Sequence, residues 1–197
     1  MRHTRGDGLL ESFLARQRAW RANRLIPGEL RGGRILDIGC GTYPYFLAHT
    51  AFVEKFGVDQ IPIDQKIAAD LQIELYHLDL DSRPSLPFES DFFSVVTLLA
   101  VIEHIDPHNM AILFGDIYRV LQKRGRVILT TPAAWSSGLL RLMARLNLVS
   151  KAEIDEHIYA YTLPLLGWYF GRAGFAMDKV RFGYFEFGLN LWATAEK

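Results

Sequence analysis

From Arg34 onward, short apolar runs of strand length alternate with helical segments, and this alternation restricts the chain to a small set of folds. Five runs are apolar enough to be buried on both faces of a sheet: RILDI, EKFGVD, IELYHL, FFSVVTLL and RVILTT. Strands and helices that alternate at these lengths favour a parallel sheet covered by helices. We therefore predict an α/β fold.

One helix is predicted before the first strand and another after the fourth. The segment LLESFLARQRAWRANRL has amphipathic spacing and stops before Pro27, so we expect a helix that could lie across the sheet. After the fourth run, Asp106 can cap a second helix, with Pro107 in its first turn and Gly125 just past its end.

The C-terminal part of the chain has a different pattern. A helix is predicted from Thr162 to Arg172, and GFAMDKVRFGYFEFGLNLWATAEK is typical of two long strands with turn residues between them. Two such strands form a hairpin. The sheet should therefore be mixed.

Length and charge limit the domain organisation and the partners. A chain of 197 residues, half of them apolar, fits one domain over residues 1–197, with residues 1–28 as an N-terminal helical extension. Twenty-two basic residues balance twenty-two acidic ones, so any contact with a polyanion must be local. We expect a monomer or homodimer with no nucleic-acid partner and no stable membrane insertion.

The single cysteine and the lack of long apolar segments indicate the compartment. Cys40 cannot form an internal disulfide, which is consistent with a reducing environment. The run VVTLLAVI is well short of the ~20 residues that cross a bilayer, and MRHTRGDGLL has no signal-peptide core. We expect a cytoplasmic protein that retains its N-terminus.

The stretch ILDIGCGTYPYF places two glycines where the first strand should turn into a helix. Gly39 and Gly41 allow positive φ values and let backbone N–H groups approach a ligand closely. A glycine-rich turn is also a plain connection in many folds, so the neighbouring residues must indicate whether this turn binds a ligand. Pro44 stands where a dinucleotide fingerprint has its third glycine, and Asp37 would repel a pyrophosphate but attract an ammonium group.

Acids follow the next two strands. Asp59 ends EKFGVD, 18 residues after Gly41, and an ionised carboxylate there can accept hydrogen bonds from both hydroxyls of a ribose. Asp79 follows the third strand and could accept from an exocyclic adenine amine, although Asp81 competes for that role. These positions together predict a pocket for a nucleoside that carries an amino-acid-like cation.

The motifs ILDIGCGT, GVD, LPFESDFFSVV, VIEHI and LQKRGRVILTTP occur in an order and spacing that resemble the class I S-adenosylmethionine-dependent methyltransferases. The small-molecule type-11 and type-23 groups are the most similar, over about residues 30 to 180. The resemblance implies a Rossmann-like seven-stranded mixed sheet of order 3-2-1-4-5-7-6, with strand 7 antiparallel and helices on both faces. It also implies S-adenosyl-L-methionine as the cofactor and a small-molecule methyl acceptor.

The same resemblance assigns the cofactor site. The methionine part would lie near the glycine turn, the ribose near Asp59 and the adenine near Asp79 and Leu80, while a backbone carbonyl after the fourth strand would face the amino group. The assigned residues are Asp37, Gly39, Cys40, Gly41, Asp59, Gln60, Asp79, Leu80, Leu99 and Ala100. The chain departs from the family pattern at Tyr43, where a third glycine is frequent, and at Ser94, where an acid is usual.

Two histidines are candidate bases for an oxygen or nitrogen acceptor. His104 follows the fourth strand beside the expected methyl position, although it could instead fix the loop. His157 precedes the helix that begins near Thr162, in a segment that contributes to the acceptor pocket in the family. If neither acts, alignment of donor and acceptor must suffice. We assign no metal site.

The segment WSSGLLRLMARLNLV, residues 135–149, is strongly apolar, with Arg141 and Arg145 on a helical period. It could cap the substrate, cover the sheet as an ordinary helix, or contact a membrane surface for a lipid-like acceptor. We assign residues 135–162 to a substrate cap and expect a small, apolar acceptor. The alternatives are a non-catalytic S-adenosylmethionine-binding module and an NAD(P)-binding oxidoreductase.

Overall fold

A computed structural model describes residues 10–62, 64–82, 85–151 and 159–197, which form a seven-stranded sheet flanked by helices. The strands are β1 Arg34–Ile38, β2 Glu54–Asp59, β3 Glu74–His77, β4 Phe93–Leu99, β5 Leu121–Pro132, β6 Val180–Phe185 and β7 Asn190–Glu196. Their spatial order is β3-β2-β1-β4-β5-β7-β6. Strands β1 to β5 pair in parallel and β7 pairs antiparallel with both neighbours. The predicted fold class, strand order and C-terminal hairpin are confirmed.

The helices are α1 Glu11–Leu25, α2 Tyr45–Ala48, α3 Gln65–Leu71, α4 Pro107–Val120, α5 Ser137–Arg145 and α6 Leu163–Ala173. The predicted cap of α4 is present, since the Asp106 carboxylate accepts a hydrogen bond of 2.8 Å from the His108 N–H. Helix α4 ends earlier than predicted. Leu121 is extended and pairs with Phe93, so the chain enters the sheet before it reaches Gly125.

The two faces of the sheet bury different helices. On one face, Ile35, Val95 and Ile128 share a cluster with the small residues Ala19 and Ala22 of α1. On the other face, the following residue of each strand packs in the cluster that contains α4 and α6. Side chains alternate between faces along a strand, so each buried strand supplies both clusters. The prediction that α1 lies across the sheet is confirmed.

Ser94, where the family usually has an acid, lies near the beginning of β4. Its hydroxyl lies 2.8 Å from the Leu30 carbonyl oxygen and 2.9 Å from the Arg34 carbonyl oxygen, and can donate its one hydrogen to either of them. The carboxyl ends of the parallel strands meet at the opposite edge of the sheet. This departure from the family pattern therefore joins β4 to the chain before β1 and lies away from that edge.

Within the four described ranges, no helix is both long enough and apolar enough to span a membrane.

Candidate active site

A cavity of about 200 Å³ lies beyond the carboxyl ends of β1, β2 and β4. Most of the predicted site residues line it: Asp37, Gly39, Cys40, Gly41, Asp59, Gln60, Leu80, Leu99, Ala100 and His104. Asp79 is not among the lining residues, and His157 lies outside the described residues. The topology thus brings together residues from four separate strand ends, as expected for an open α/β sheet.

The glycine turn has the backbone that the sequence predicts. Gly39 has φ +72° and Gly41 has φ +75°, values that side chains resist. The Gly39 N–H donates to the Val58 carbonyl at 2.8 Å, which joins the turn to the end of β2. A Cβ at Gly39 would lie 2.4 Å from Val101 Cγ2. The turn can therefore pack against Val101 in this conformation only because position 39 has no side chain.

Asp37 is a buried carboxyl group at the end of β1 with one close partner. The Thr97 hydroxyl donates to its Oδ1 at 2.6 Å. Burial raises the pKa of Asp37 to about 7, and although the Thr97 bond lowers that pKa, the charge of Asp59 raises it further. A cation beside Asp37 would favour the ionised carboxylate. This part of the cavity thus suits an ammonium group.

Asp59 is bonded to the backbone on both sides of its carboxylate. The Gly41 N–H donates to Oδ2 at 2.8 Å, and the Ile61 N–H donates to Oδ1 at 2.9 Å. An ionised carboxylate has about four acceptor positions, so these two bonds alone do not use its full capacity. Asp59 therefore holds the glycine turn in place and also faces the cavity.

The two acids after β3 lie in different places. Asp79 accepts from the Asp81 N–H at 3.0 Å within its own turn. Asp81 lines the cavity, and its carboxylate accepts from the Asp106 N–H at 3.1 Å. The structure thus places Asp81 beside Leu80 on the cavity wall, while Asp79 stabilises the turn.

Glu103 is a cavity residue that the sequence reasoning missed. It is 2% exposed, and the Thr131 hydroxyl donates to its Oε2 at 2.9 Å. Burial raises the pKa of this carboxyl group, although the charge of His104 opposes that effect. Glu103 directly precedes the predicted base in VIEHI, so the available signal was an acid next to a candidate histidine in an apolar segment.

The remaining wall of the cavity comes from α1 and from the segment around α5. Leu14, Ala15 and Arg18 of α1 line it, together with Leu140 of α5 and Val149. The part played by α1 was not predicted. Leu140 and Val149 belong to the predicted cap of residues 135–162, and the cap itself stays a prediction. The part of the wall that α1, Leu140 and Val149 supply is mainly apolar.

The strand order, the positive-φ glycine turn and the carboxylates beside it together define a Rossmann-like methyltransferase. A family model described as Methyltransferase domain, of the type-23 group, matches residues 10–180, and the chain belongs to this family of class I S-adenosylmethionine-dependent methyltransferases. The predicted family and its cofactor, S-adenosylmethionine, are thereby confirmed.

Similar proteins agree with this family. The uncharacterized methyltransferase YcgJ of Bacillus subtilis is 29% identical over 101 residues, which are 49% of this chain but only 39% of that protein. A methyltransferase structure from Archaeoglobus fulgidus superposes with a TM-score of 0.70 at 18% identity, covering 92% of this chain and 94% of that chain. Phosphoethanolamine N-methyltransferase 2 of Haemonchus contortus, in complex with S-adenosyl-L-methionine, gives 0.66 at 17% identity, covering 92% and 52%. At these identities the superpositions show the fold alone.

Proposed function

We propose that the protein transfers a methyl group from S-adenosylmethionine to a small, apolar acceptor. The observation that carries this proposal is the composition of the cavity. Its lining combines the glycine turn and strand-end carboxylates, which we call the cofactor end, with the apolar residues Leu14, Leu140 and Val149, which we call the acceptor end. Both reactants could therefore lie in one cavity.

The cofactor end has a group for each part of a sulfonium nucleoside. Asp37 would pair with the ammonium group, because its buried carboxylate has no cation beside it among the described residues. Asp59 would accept from the ribose hydroxyls, and Asp81 with Leu80 would contact the adenine. When bound, the cofactor supplies a methyl group already activated by its positive sulfur.

The cavity also has two groups that can hold a proton. Glu103 and His104 both line the cavity, and the raised pKa of Glu103 brings it closer to the range of an effective base. We propose that Glu103, held by Thr131, accepts the proton from an acceptor hydroxyl or amine. The apolar wall of α1 and α5 would align the acceptor and exclude water. His157 remains a proposed base.

Binding and turnover measurements test this proposal against its rivals. Calorimetry should detect S-adenosylmethionine binding and no comparable binding of NADH. A panel of small apolar hydroxyl and amine compounds should then yield S-adenosylhomocysteine with at least one acceptor. Preference for NADH would indicate an oxidoreductase. Tight cofactor binding without product across a broad panel would indicate a binding module.

Replacement of Asp59 by alanine should weaken S-adenosylmethionine binding at least about a hundredfold. Hydrogen bonds to charged groups contribute about 1.5–3 kcal/mol each, and two ribose hydroxyls would lose them. The variant should also unfold more easily by about 1–3 kcal/mol, because the Gly41 and Ile61 N–H groups lose their acceptor. Titration calorimetry and urea unfolding measure the two effects.

Two variants of the neighbouring acids provide the comparison for Asp59. Asp79→Ala should leave the affinity unchanged, since Asp79 lies off the cavity wall, whereas Asp81→Ala should weaken it. Unchanged affinity in Asp59→Ala would contradict the ribose assignment.

The Glu103→Gln variant should lower kcat at least about a hundredfold with little change in KM for the cofactor. Glutamine keeps the size and can still accept from Thr131, but it cannot take up a proton. Wild-type kcat should rise with pH as Glu103 ionises above its raised pKa, and the variant should lose that rise. A pH series with the acceptor found in the panel measures both effects.

An exposed acid provides the control for Glu103, since Glu89→Gln should keep the wild-type pH profile. If Glu103→Gln melts at a lower temperature but retains both kcat and the pH profile, Glu103 has only a structural role.

A further inference from the structure

Helix α5 has a second apolar face that is exposed within the described part of the chain. Leu140 and Ala144 point into the core, while the residues on the far side remain exposed. These are Trp135 at 61%, Leu139 at 42%, Leu142 at 51% and Leu146 at 61% exposure. Leu139, Leu142 and Leu146 have helical spacing along one side of α5, and Trp135 lies in the 3-10 turn Ala134–Ser136 that leads into it; we call these four residues the α5 stripe. A row of large apolar side chains in water marks a surface that contacts something else.

The connection between β6 and β7 adds a phenylalanine to this row. Phe187 is fully exposed at the tip of the connection. Its φ is +56° and that of Glu186 is +51°, both unfavourable for residues with side chains. A Cβ at Gly188 would lie 3.4 Å from Trp135 Cζ2, so the tip adjoins the α5 stripe. The fold thus holds an aromatic ring in solvent, beside Trp135, in a strained turn.

The same region carries an excess of positive charge. Residues 11–25 and 133–151 contain seven basic residues and one acidic residue, in a chain whose total charge is zero. Arg141 and Arg145 are exposed on one flank of the α5 stripe, and neither forms a salt bridge within the part of the chain that the structure describes. The rest of the chain is correspondingly acidic. Arg141 and Arg145 thus place positive charge on the same helix as the exposed leucines.

This surface adjoins the cavity. The inner side of α5 supplies Leu140 to the cavity wall, and the inner side of α1 supplies Leu14 and Arg18. The Leu10 N–H donates to the Leu148 carbonyl at 2.9 Å, which joins the start of α1 to the chain after α5. The α5 stripe thus covers the apolar end of the cavity from outside.

We propose that the α5 stripe, Phe187 and the two flanking arginines dock the protein on the surface of an anionic lipid bilayer. Leucine, tryptophan and phenylalanine would enter the boundary between headgroups and acyl chains, and Arg141 and Arg145 would contact lipid phosphates. Nucleic acid would use the arginines but not the leucine row, and its phosphates would leave that row in water. Docking goes beyond the proposed methyl transfer and does not depend on it. It would place the acceptor end of the cavity next to molecules dissolved in lipid.

Co-sedimentation with vesicles, without any cofactor, tests the proposal. The protein should bind vesicles of phosphatidylcholine that contain phosphatidylglycerol, bind weakly to phosphatidylcholine alone, and release as salt is raised. Trp135→Ser with Phe187→Ser, and separately Arg141→Glu with Arg145→Glu, should each weaken binding at least about tenfold. These side chains are exposed, so circular dichroism should show an unchanged fold.

Matched controls lie elsewhere on the surface. Val53→Ser with Ile112→Ser removes two exposed apolar side chains, and Lys66→Glu with Lys123→Glu makes the same change in net charge. Both double variants should bind vesicles like the wild type.

Three outcomes would overturn the proposal. The first is no binding to vesicles that contain phosphatidylglycerol. The second is binding that survives the Trp135 and Phe187 substitutions and disappears only on charge reversal, which indicates general attraction to polyanions. The third is a dimer in sedimentation velocity that the Trp135 and Phe187 substitutions abolish while vesicle binding is absent, which assigns the surface to a second copy of the chain.

Discussion

The affinity for S-adenosylmethionine should rise about tenfold for each pH unit between about pH 5 and about pH 7, and then level off. Burial raises the pKa of Asp37 to about 7, so below that pH the carboxyl group is mostly protonated. The proposed contact with the ammonium group requires the ionised form. Binding must therefore remove a proton below pH 7, and calorimetry in buffers of different ionisation enthalpy should detect its release.

Ionisation of Asp37, which should favour cofactor binding, should lower the stability of the protein without cofactor. The pKa of Asp37 is raised from the ordinary value of 3.8, so the folded state binds the proton more tightly than the unfolded chain does. The resulting stabilisation is complete below about pH 4 and is lost as pH rises through about 7, at a cost on the order of 4 kcal/mol. Asp37→Asn should therefore melt at a higher temperature than the wild type at pH 8.

Asp37→Asn also isolates the binding effect. It should bind S-adenosylmethionine more weakly than the wild type at pH 8 and with little dependence on pH. Asp91→Asn, at an exposed acid paired with Lys197, should keep the wild-type pH dependence of binding. A wild-type affinity that is constant from pH 5 to pH 8 would contradict the role of Asp37.

Replacement of Gly39 by alanine should reduce S-adenosylmethionine binding at least about a hundredfold. The new Cβ would meet Val101 Cγ2 at 2.4 Å, and alanine at φ +72° is strained by roughly 1–2 kcal/mol. Overpacking adds about 1–3 kcal/mol, and the turn must move from the position in which it approaches the cofactor. Calorimetry and urea unfolding should show losses of both affinity and stability.

Two variants separate the causes of that loss. Gly28→Ala should change neither property, because Gly28 lacks a positive φ and has open space around it. Adding Val101→Ala to Gly39→Ala relieves the contact but leaves the backbone strain, so it should restore part of the stability. If Gly39→Ala binds within about twofold of the wild type, the turn does not approach the cofactor as we infer.

Much of the fold could be predicted because the local sequence marks where these strands begin and end. Strands β1 and β2 begin and end at the predicted residues, since a buried apolar run is followed by an acid or a glycine at the sheet edge. The end of α4 could not be predicted in this way. Gly125 is a strong local stop, but pairing of Leu121 with Phe93, a long-range interaction, ended the helix first.

The site was predictable where topology alone fixes neighbours. Residues at the ends of parallel strands must meet, so the positions of Asp37 and Asp59 followed from the strand order. Helix α1 was different, since nothing in its sequence shows that Leu14 and Arg18 reach the cavity. The choice between Asp79 and Asp81 likewise depended on a hydrogen bond from the distant start of α4. Such contacts arise only when separate elements pack.

The bond between Asp59 and the Gly41 N–H has a consequence for how this sequence can change over evolutionary time. The Asp59 carboxylate at the end of β2 supports the glycine turn that follows β1, and it also faces the proposed nucleoside site. Two separate requirements therefore limit substitution at position 59. Glutamate is longer by one methylene, so it could keep the bond to the Gly41 N–H or the position that faces the nucleoside, but not both. Substitutions at position 59 should therefore be rare among descendants of this chain.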